Sequence, residues 1–413
     1  MRILFLSPRQ VLPALSGAKL REYHFLSALS SGAEVTYLYF SDAGAPPLTV
    51  ADLPFCREVV AVPKPPAYGL VSTLRGIAGR WPLPILNYTS PAMSAAVAHQ
   101  MATGDFDIIH LDSIHMIRYA LAAAERNSSL KAIYNWHNIE SEAMLRFSET
   151  TPVLARRWYA RHTAVKLQAL ERVILNAAFG HVVCSERERA QLQLMAPAAR
   201  IAVVENGVDT AYFRASGEPG DSPALPPKIV FVGSMDYFPN SDAAIFFSNQ
   251  VWPAIRSRLP DSELLIVGNN PGPAVRALGE LPGVTVTGRV ADVRPYYRQA
   301  LAAVVPLRTG GGTRLKILEA MAASVPVVST PLGAEGLEVV DGENALLVEA
   351  TDTQGWVDHL VRLADSPAAR HQLIGAGLRL VQTRYDWEML GGILRKTYVR
   401  WLRAAGTSGA PAG

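Results

Sequence analysis

Short apolar runs alternate with stretches of helical periodicity along most of this chain. RILFLS from Arg2, EVTYLYF from Glu34, REVVAVP from Arg57, DIIHLDS from Asp107, KAIYNWH from Lys131, GHVVCS from Gly180 and IAVVENGVD from Ile201 read as buried strands. Between them the pattern predicts helices over about Lys19–Ser30, Ala92–Met101, Ile114–Glu125 and Thr151–Ala178. The first of these carries Leu20, Tyr23, Leu26 and Leu29 as its apolar stripe. Ser185-x-x-Glu188 is a capping box opening a further helix. Residues 63–91, rich in proline, read as irregular. Near-continuous apolar strands joined by helices are the pattern of a parallel sheet.

The alternation then stops and restarts. From Asp209 to Lys228, Pro219, Pro223, Pro226 and Pro227 sit among serines and glycines, so 209–227 reads as a linker. A second series follows: KIVFVGS, a helix from about Asn240 to Leu259, SELLIVG, a short helix near Val275, VTVTGRV, a helix near Tyr296, LAAVVPL, VPVVST and ALLVEA. Helices over Asp352–Leu363 and Ala368–Tyr385 close it. The fold class is α/β, with two Rossmann-like domains of parallel sheet at 1–208 and 228–385. A terminal helix is expected at 386–405 and a disordered tail at 406–413.

Composition narrows the function classes. A chain of 413 residues exceeds the ~250–300 at which single cores stop growing. With 49% hydrophobic and 18% charged residues it is globular, and a net charge of +3 gives no reason to expect a nucleic-acid partner. Cys56 and Cys184 lie in or beside apolar runs, as packing residues in a reducing compartment. The amino-terminal apolar run is too short for a signal peptide, and the uncharged stretch from Trp81 to Gly104 is interrupted by Pro82, Pro84 and Pro91, so it fails as a membrane span. The expected location is cytoplasmic, peripheral on the inner face of the membrane.

The chemistry concentrates in TGGGTRLKILEAMAASVPVVST, Thr309 to Thr330. An apolar strand runs into Gly310, Gly311, Gly312 and Thr313; a helix with Arg314, Lys316 and Glu319 follows, then another strand. Backbone N–H groups at such a helix start favour anions, and open α/β sheets bind ligands at this edge. Read bottom-up, the anion is a nucleotide diphosphate. Lys316 and Glu319 as a plain i,i+3 surface pair would not need the glycines beside them. The amino-terminal β-loop-α unit repeats the arrangement with Gly17 before its helix, but no G-x-G-x-x-G is present, which disfavours a dinucleotide dehydrogenase. His137, with Asn138 and Glu140, stands at another strand's carboxyl end.

GSMDYFPNSDA, LLIVGNNP, VTVTGRVADVRPYY and VPLRTGGGTRLKILEAMAASVPVVSTPLGAEGL, in that order, resemble the donor domain of retaining glycosyltransferases of family four, which have the GT-B fold. HNIE, VCSERER and ENGVD agree in the first half, and the resemblance is greatest to bacterial sugar transferases associated with exopolysaccharide export. The resemblance implies two parallel sheets facing a central cleft, with closure about the linker and the terminal helix packing on the first domain. It implies no metal and no cofactor; the nucleotide sugar is a substrate, and the acceptor is a saccharide or lipid-linked. Glu319 would hold the donor ribose. Arg314 and Lys316 would neutralise the departing diphosphate, and Gly310, Gly311, Gly312 and Thr313, with Gly233 in the first donor loop, would approach it. Gly17 matches the glycine that lets the first domain's backbone approach the donor. His137 matches the histidine near the anomeric carbon.

The chain departs from the family twice. A second glutamate, seven residues before Glu319, would fall at Gly311, and the first donor loop carries no cation. The basic role is expected at Arg314 and Lys316, with Arg308 as a further candidate. These departures keep open a catalytically silent nucleotide-sugar-binding partner of an export complex; the other rival, a nucleotide-sugar epimerase on the same fold, needs a pair of acids, and none stands out. Asp105-Phe-Asp107 precedes its strand and reads as a turn, not a metal site. Arg156, Arg157, Trp158 and Arg161 on the long helix form either a solvated face or an attachment to anionic lipid.

Overall fold

The computed structural model describes residues 1–67, 69–127, 129–214, 226–310 and 314–407. Most of the linker, residues 215–225, and Gly311, Gly312 and Thr313 of the expected donor site lie outside the described residues, as do residues 408–413 of the tail. The chain divides into two compact units, Met1–Glu205 with Gly391–Gly413, and Asn206–Leu390.

The first unit is built on seven parallel strands: β1 (Arg2–Ser7), β2 (Glu34–Ser41), β3 (Glu58–Pro63), β4 (Ile108–Leu111), β5 (Lys131–Asn135), β6 (Gly180–Val183) and β7 (Ile201–Val203). Their order is β3-β2-β1-β4-β5-β6-β7. The strands are apolar on both faces because helices cover both, and Leu4, Leu6, Leu38, Ile109, Leu111 and Trp136 are sealed from water. Each such side chain contributes roughly 1.5–3 kcal/mol of burial free energy. The last helix, Trp387–Thr407, is held in this unit by its later turns: Tyr398 Oη lies 2.7 Å from His110 Nδ1, and Trp401 covers Gly180, where a Cβ would come within 2.5 Å of the indole.

The second unit has six parallel strands: β8 (Lys228–Val232), β9 (Glu263–Val267), β10 (Val284–Gly288), β11 (Ala300–Val305), β12 (Val327–Ser329) and β13 (Leu346–Leu347). They run in the order β10-β9-β8-β11-β12-β13. Its core includes Ile229, Val230, Ile266, Val304, Leu318 and Trp356.

Several elements differ from the sequence-based expectation. The long helix read as Asn240–Leu259 is broken: Phe238–Phe246 is α, Phe247–Val251 is a π-turn, and Trp252–Arg258 resumes. Pro253 cannot donate to the preceding turn, and the wider turn accommodates the lost bond. Residues 63–91 are not wholly irregular, since helices Leu70–Ala78 and Leu83–Leu86 form there. A helix at Glu140–Thr150 precedes the expected long one, which runs Leu154–Ala177. On the first helix, Gly17–Ser30, Arg21 and Glu22 are buried with Phe25, Leu26, Ala28 and Leu29, whereas Leu20 and Tyr23 are only half-buried. The expected apolar stripe is therefore rotated, and the charged pair goes inside because polar partners wait there.

Candidate functional site

In the second unit the strand order reverses between β8 and β11, the place where open α/β sheets take ligands at the strands' carboxyl ends. Gly233 follows β8, and Gly310 lies on the loop after β11; helix Leu315–Ala322 starts just beyond, with Arg314 as its N-cap residue. Lys316 Nζ donates to Asn240 Oδ1 at 2.5 Å, and Asn240 Nδ2 donates to the Ser234 carbonyl at 2.9 Å. A Cβ on Gly233 would stand 2.7 Å from Asn240 Nδ2 and 3.1 Å from Lys316 Nζ, so only glycine leaves this corner intact. One turn along, Glu319 Oε2 accepts from Tyr297 Oη at 3.3 Å.

Burial lowers the Lys316 ammonium to about 7, with Glu319 opposing and Arg314 adding to the shift. Burial likewise raises the Glu319 carboxyl, offset by the Tyr297 hydroxyl and by Lys316. An ammonium under this strain is stabilised by any anion that arrives, which suits a diphosphate. Arg314 is 4% exposed. Its Nη2 donates to the Gly310 and Leu332 carbonyls at 3.1 and 3.3 Å and lies 3.9 Å from Glu335, so the guanidinium braces the glycine loop. Gly310 itself has φ +108°, and a Cβ there would meet the Pro239 ring at 2.8 Å. Arg308 is engaged elsewhere, in a two-pronged pair with Asp242 at 2.6 and 3.1 Å.

In the first unit the order reverses between β1 and β4. Gly17 opens the helix after β1, with Ser16 as its cap. His137 lies two residues past β5, and its Nε2 is 2.9 Å from Oδ2 of Asp112, the residue just past β4. Asp112 Oδ1 accepts from Asn135 Nδ2 at 2.8 Å; Asn135 Oδ1 in turn accepts from Arg21 Nε and Nη2 at 3.1 and 2.9 Å. Glu22 accepts from Tyr37 Oη at 2.8 Å and lies 3.5 Å from Arg9. Burial pushes the Glu22 carboxyl well up, and the charge of Asp112 and a hydrogen bond to it push the same way. Burial would also raise Asp112, but His137 in hydrogen-bond contact at 2.9 Å, the His110 ring nitrogen 3.8 Å away and Arg9 outweigh it and hold Asp112 well below the usual range.

Sequence reasoning singled out His137 and missed the groups behind it: the half-buried Arg9 and the buried Arg21, Glu22, Tyr37 and Asp112. Asp112 had a readable signal, a carboxylate at the carboxyl end of an inner strand. Arg21 and Glu22 had none, since a charged residue in a helix normally reads as solvent-facing. An acid pair does exist, contrary to expectation, but Glu22 and Asp112 are both sealed from solvent. Glu140 begins the helix after His137, and burial raises its carboxyl, opposed by His137 and Arg9.

Asp105 and Asp107 bind Arg2 at the amino end of β1, through its guanidinium at 2.7 Å and its backbone N–H at 2.8 Å. Among the described residues no group of three or more His, Cys, Asp or Glu is placed to hold a metal. Both cysteines are buried, and among the described residues they form no disulfide. On the long helix, Trp158 is 56% exposed and Leu154 75% exposed, with Arg156 and Arg161 beside them. Arg157 instead turns to the Thr151 carbonyl, and Lys166 caps the carbonyls of Gly76, Ile77 and Gly79 at 2.8, 2.6 and 2.7 Å. No described helix is long and apolar enough to cross a membrane.

Two parallel-sheet, Rossmann-like halves, each with polar groups gathered at its switch point, define the GT-B class of fold. Residues 28–212 match Glycosyltransferase Family 4, and residues 226–366 match Glycosyl transferases group 1. A phosphatidyl-myo-inositol mannosyltransferase of Mycobacterium leprae is 26% identical over 316 residues, 75% of this chain and 77% of that protein. Among solved structures, a sucrose-phosphate synthase from Thermosynechococcus elongatus superposes with TM-score 0.70 at 19% identity, covering 98% of this chain and all of that one. Anabaena HepE in complex with UDP and glucose gives 0.62 at 15% identity, covering 97% and 99%. These likenesses support a family-four-like glycosyltransferase, with sugar transfer as its chemistry.

Proposed function

We propose that the protein moves a sugar, with retention and without a metal, from a nucleoside-diphosphate sugar to a hydroxyl of a saccharide or lipid-linked acceptor in cell-surface glycan synthesis. The observation that carries this reading is the Lys316–Asn240 pair at the carboxyl edge of β8 and β11, next to Gly233 and Glu319. Transfer builds negative charge on the departing diphosphate, and fixed donors already aimed at that charge are commonly the largest catalytic term. Lys316 supplies the cation and Glu319 reads the ribose hydroxyls. Arg314 holds the glycine loop and shares in neutralising the phosphates. Gly17 and His137 stand at the ligand edge of the first unit's sheet, and the family resemblance assigns His137 to the transferring sugar. The exposed Leu154, Trp158, Arg156 and Arg161 suit an anionic lipid surface, where a lipid-linked acceptor would lie.

The test is a panel of nucleotide sugars with chelator present, reading nucleoside diphosphate release and, by NMR, the anomeric configuration of the glycoside formed. The expected result is release from at least one donor with the configuration retained. Tight donor binding with no release from any would favour a silent binding partner. A sugar altered while still on its nucleotide would favour an epimerase.

A further inference from the structure

The buried polar chain behind His137 has a direction. Arg21 is 1% exposed, and its guanidinium can only donate. Two of its N–H groups reach Asn135 Oδ1, and another reaches the Val204 carbonyl at 2.7 Å. Asn135 therefore has its oxygen turned to Arg21 and its amide nitrogen turned to Asp112 Oδ1. The other oxygen of Asp112 faces His137 Nε2. A carboxylate accepts and does not donate, so the proton on this contact belongs to the imidazole.

We propose that Arg21, Asn135 and Asp112 are positioning residues which fix His137 as the Nε2–H tautomer, leaving Nδ1 as its bare acceptor. The proposal rests on the assignment of His137 to the transfer site. Glu22 completes the arrangement. Two carboxyls buried side by side do not both ionise. Glu22 Oε2 is buried, 3.5 Å from Arg9 Nε and without a hydrogen bond of ordinary geometry. One proton on Glu22, given toward Asp112, satisfies it and leaves the single negative charge on Asp112. The other ionisable groups bearing on His137 are His110, His115 and Glu140, with Arg9 acting on Asp112 and Glu140. Of these, Glu140 and Arg9 carry opposite charges when ionised, and burial holds His110 and His115 below the usual histidine range, so both are neutral at ordinary pH.

Asp112→Asn gives a sharp outcome. Asn135, pinned by Arg21, still offers an N–H to position 112, so the new amide must turn its oxygen there. Its NH2 then faces His137 Nε2, which becomes an acceptor, and the proton moves to Nδ1. A wrong tautomer of this kind in a serine-protease triad lowers turnover by about 10⁴-fold with the geometry intact.

The experiment uses the full chain with ¹⁵N-labelled histidine, with spectra taken from about pH 8.5 upward until the His137 signals no longer change. Nine histidines are present, so His137 is assigned by loss of its signals in His137→Gln. Wild type should show a bare Nδ1 and a downfield, slowly exchanging Nε2–H. Asp112→Asn should show Nδ1–H and transfer slower by roughly 10²–10⁴-fold. Glu22→Gln, which keeps a donor toward Asp112, should keep the wild-type tautomer and stay within about threefold in transfer. A protonated Nδ1 in wild type, or an unchanged tautomer in Asp112→Asn, overturns the proposal. Should Asp112→Asn not fold, the wild-type spectrum and a shifted tautomer in Glu22→Gln remain able to overturn it. Wild type with the expected tautomer but no transfer to any acceptor leaves the positioning chain standing and removes the transferase reading instead.

Discussion

Lys316 carries the most consequential charge in the second unit. Its ammonium is depressed to about 7 by burial, so in the ligand-free protein it is about half protonated near neutrality. A diphosphate binds the protonated form. Its affinity should therefore fall as pH rises from about 6 to 8.5, by up to tenfold per unit above 7. Isothermal titration across that range measures it, and Lys316→Gln should bind more weakly with the slope removed. Stability of the ligand-free protein runs the other way. Unfolded lysine titrates near 10.4, so between about 7 and that value the unfolded chain holds more protons, and this group's contribution to stability rises with pH. At this scale the sequence was partly legible. Lys316, Glu319 and Gly233 stood in a readable loop-helix pattern. Asn240, which turns the lysine, is 76 residues away in sequence and shows no local sign of that task.

Among the elements, strands were more legible than helix faces. A strand buried on both sides is an apolar run wherever its partners are, whereas a helix stripe depends on what the neighbouring strands offer. Helix Gly17–Ser30 shows this: Asn135 on β5 and Tyr37 on β2 draw Arg21 and Glu22 inward, so the apolar positions alone point to the wrong face. The π-turn at Phe247–Val251 was readable only from Pro253, and helix Glu140–Thr150 only from its acidic first turn. The basic helix Leu154–Ala177 divides by residue: Lys166 caps a neighbouring helix, whereas Trp158 and Leu154 face out. Vesicle co-sedimentation should show binding to anionic but not neutral lipid, reduced at least fivefold by Trp158→Ser with Arg161→Ser. Equal partitioning onto both lipids would remove the membrane role of this face.

For the molecule, the two-unit architecture was legible because alternation breaks and restarts around a proline-rich stretch. The sequence suggested 208 as the end of the first domain; the chain divides at Glu205, and residues from Gly391 return to the first unit. That return rests on contacts such as His110 with Tyr398, which join residues 288 apart and leave no mark in periodicity. In each sheet the gathered polar groups lie where strand order reverses. That geometry was not readable, since strand order is invisible in a one-dimensional pattern.

The central claim is that the second unit's switch-point cation stabilises a departing nucleoside diphosphate. The direct measurement is the steady-state rate of nucleoside diphosphate release by wild type and by Lys316→Ala, each at saturating donor and acceptor. A kcat lower by roughly 10²–10³-fold in the variant, with the fold retained by circular dichroism, is the expected result. A kcat within about threefold of wild type would contradict the account.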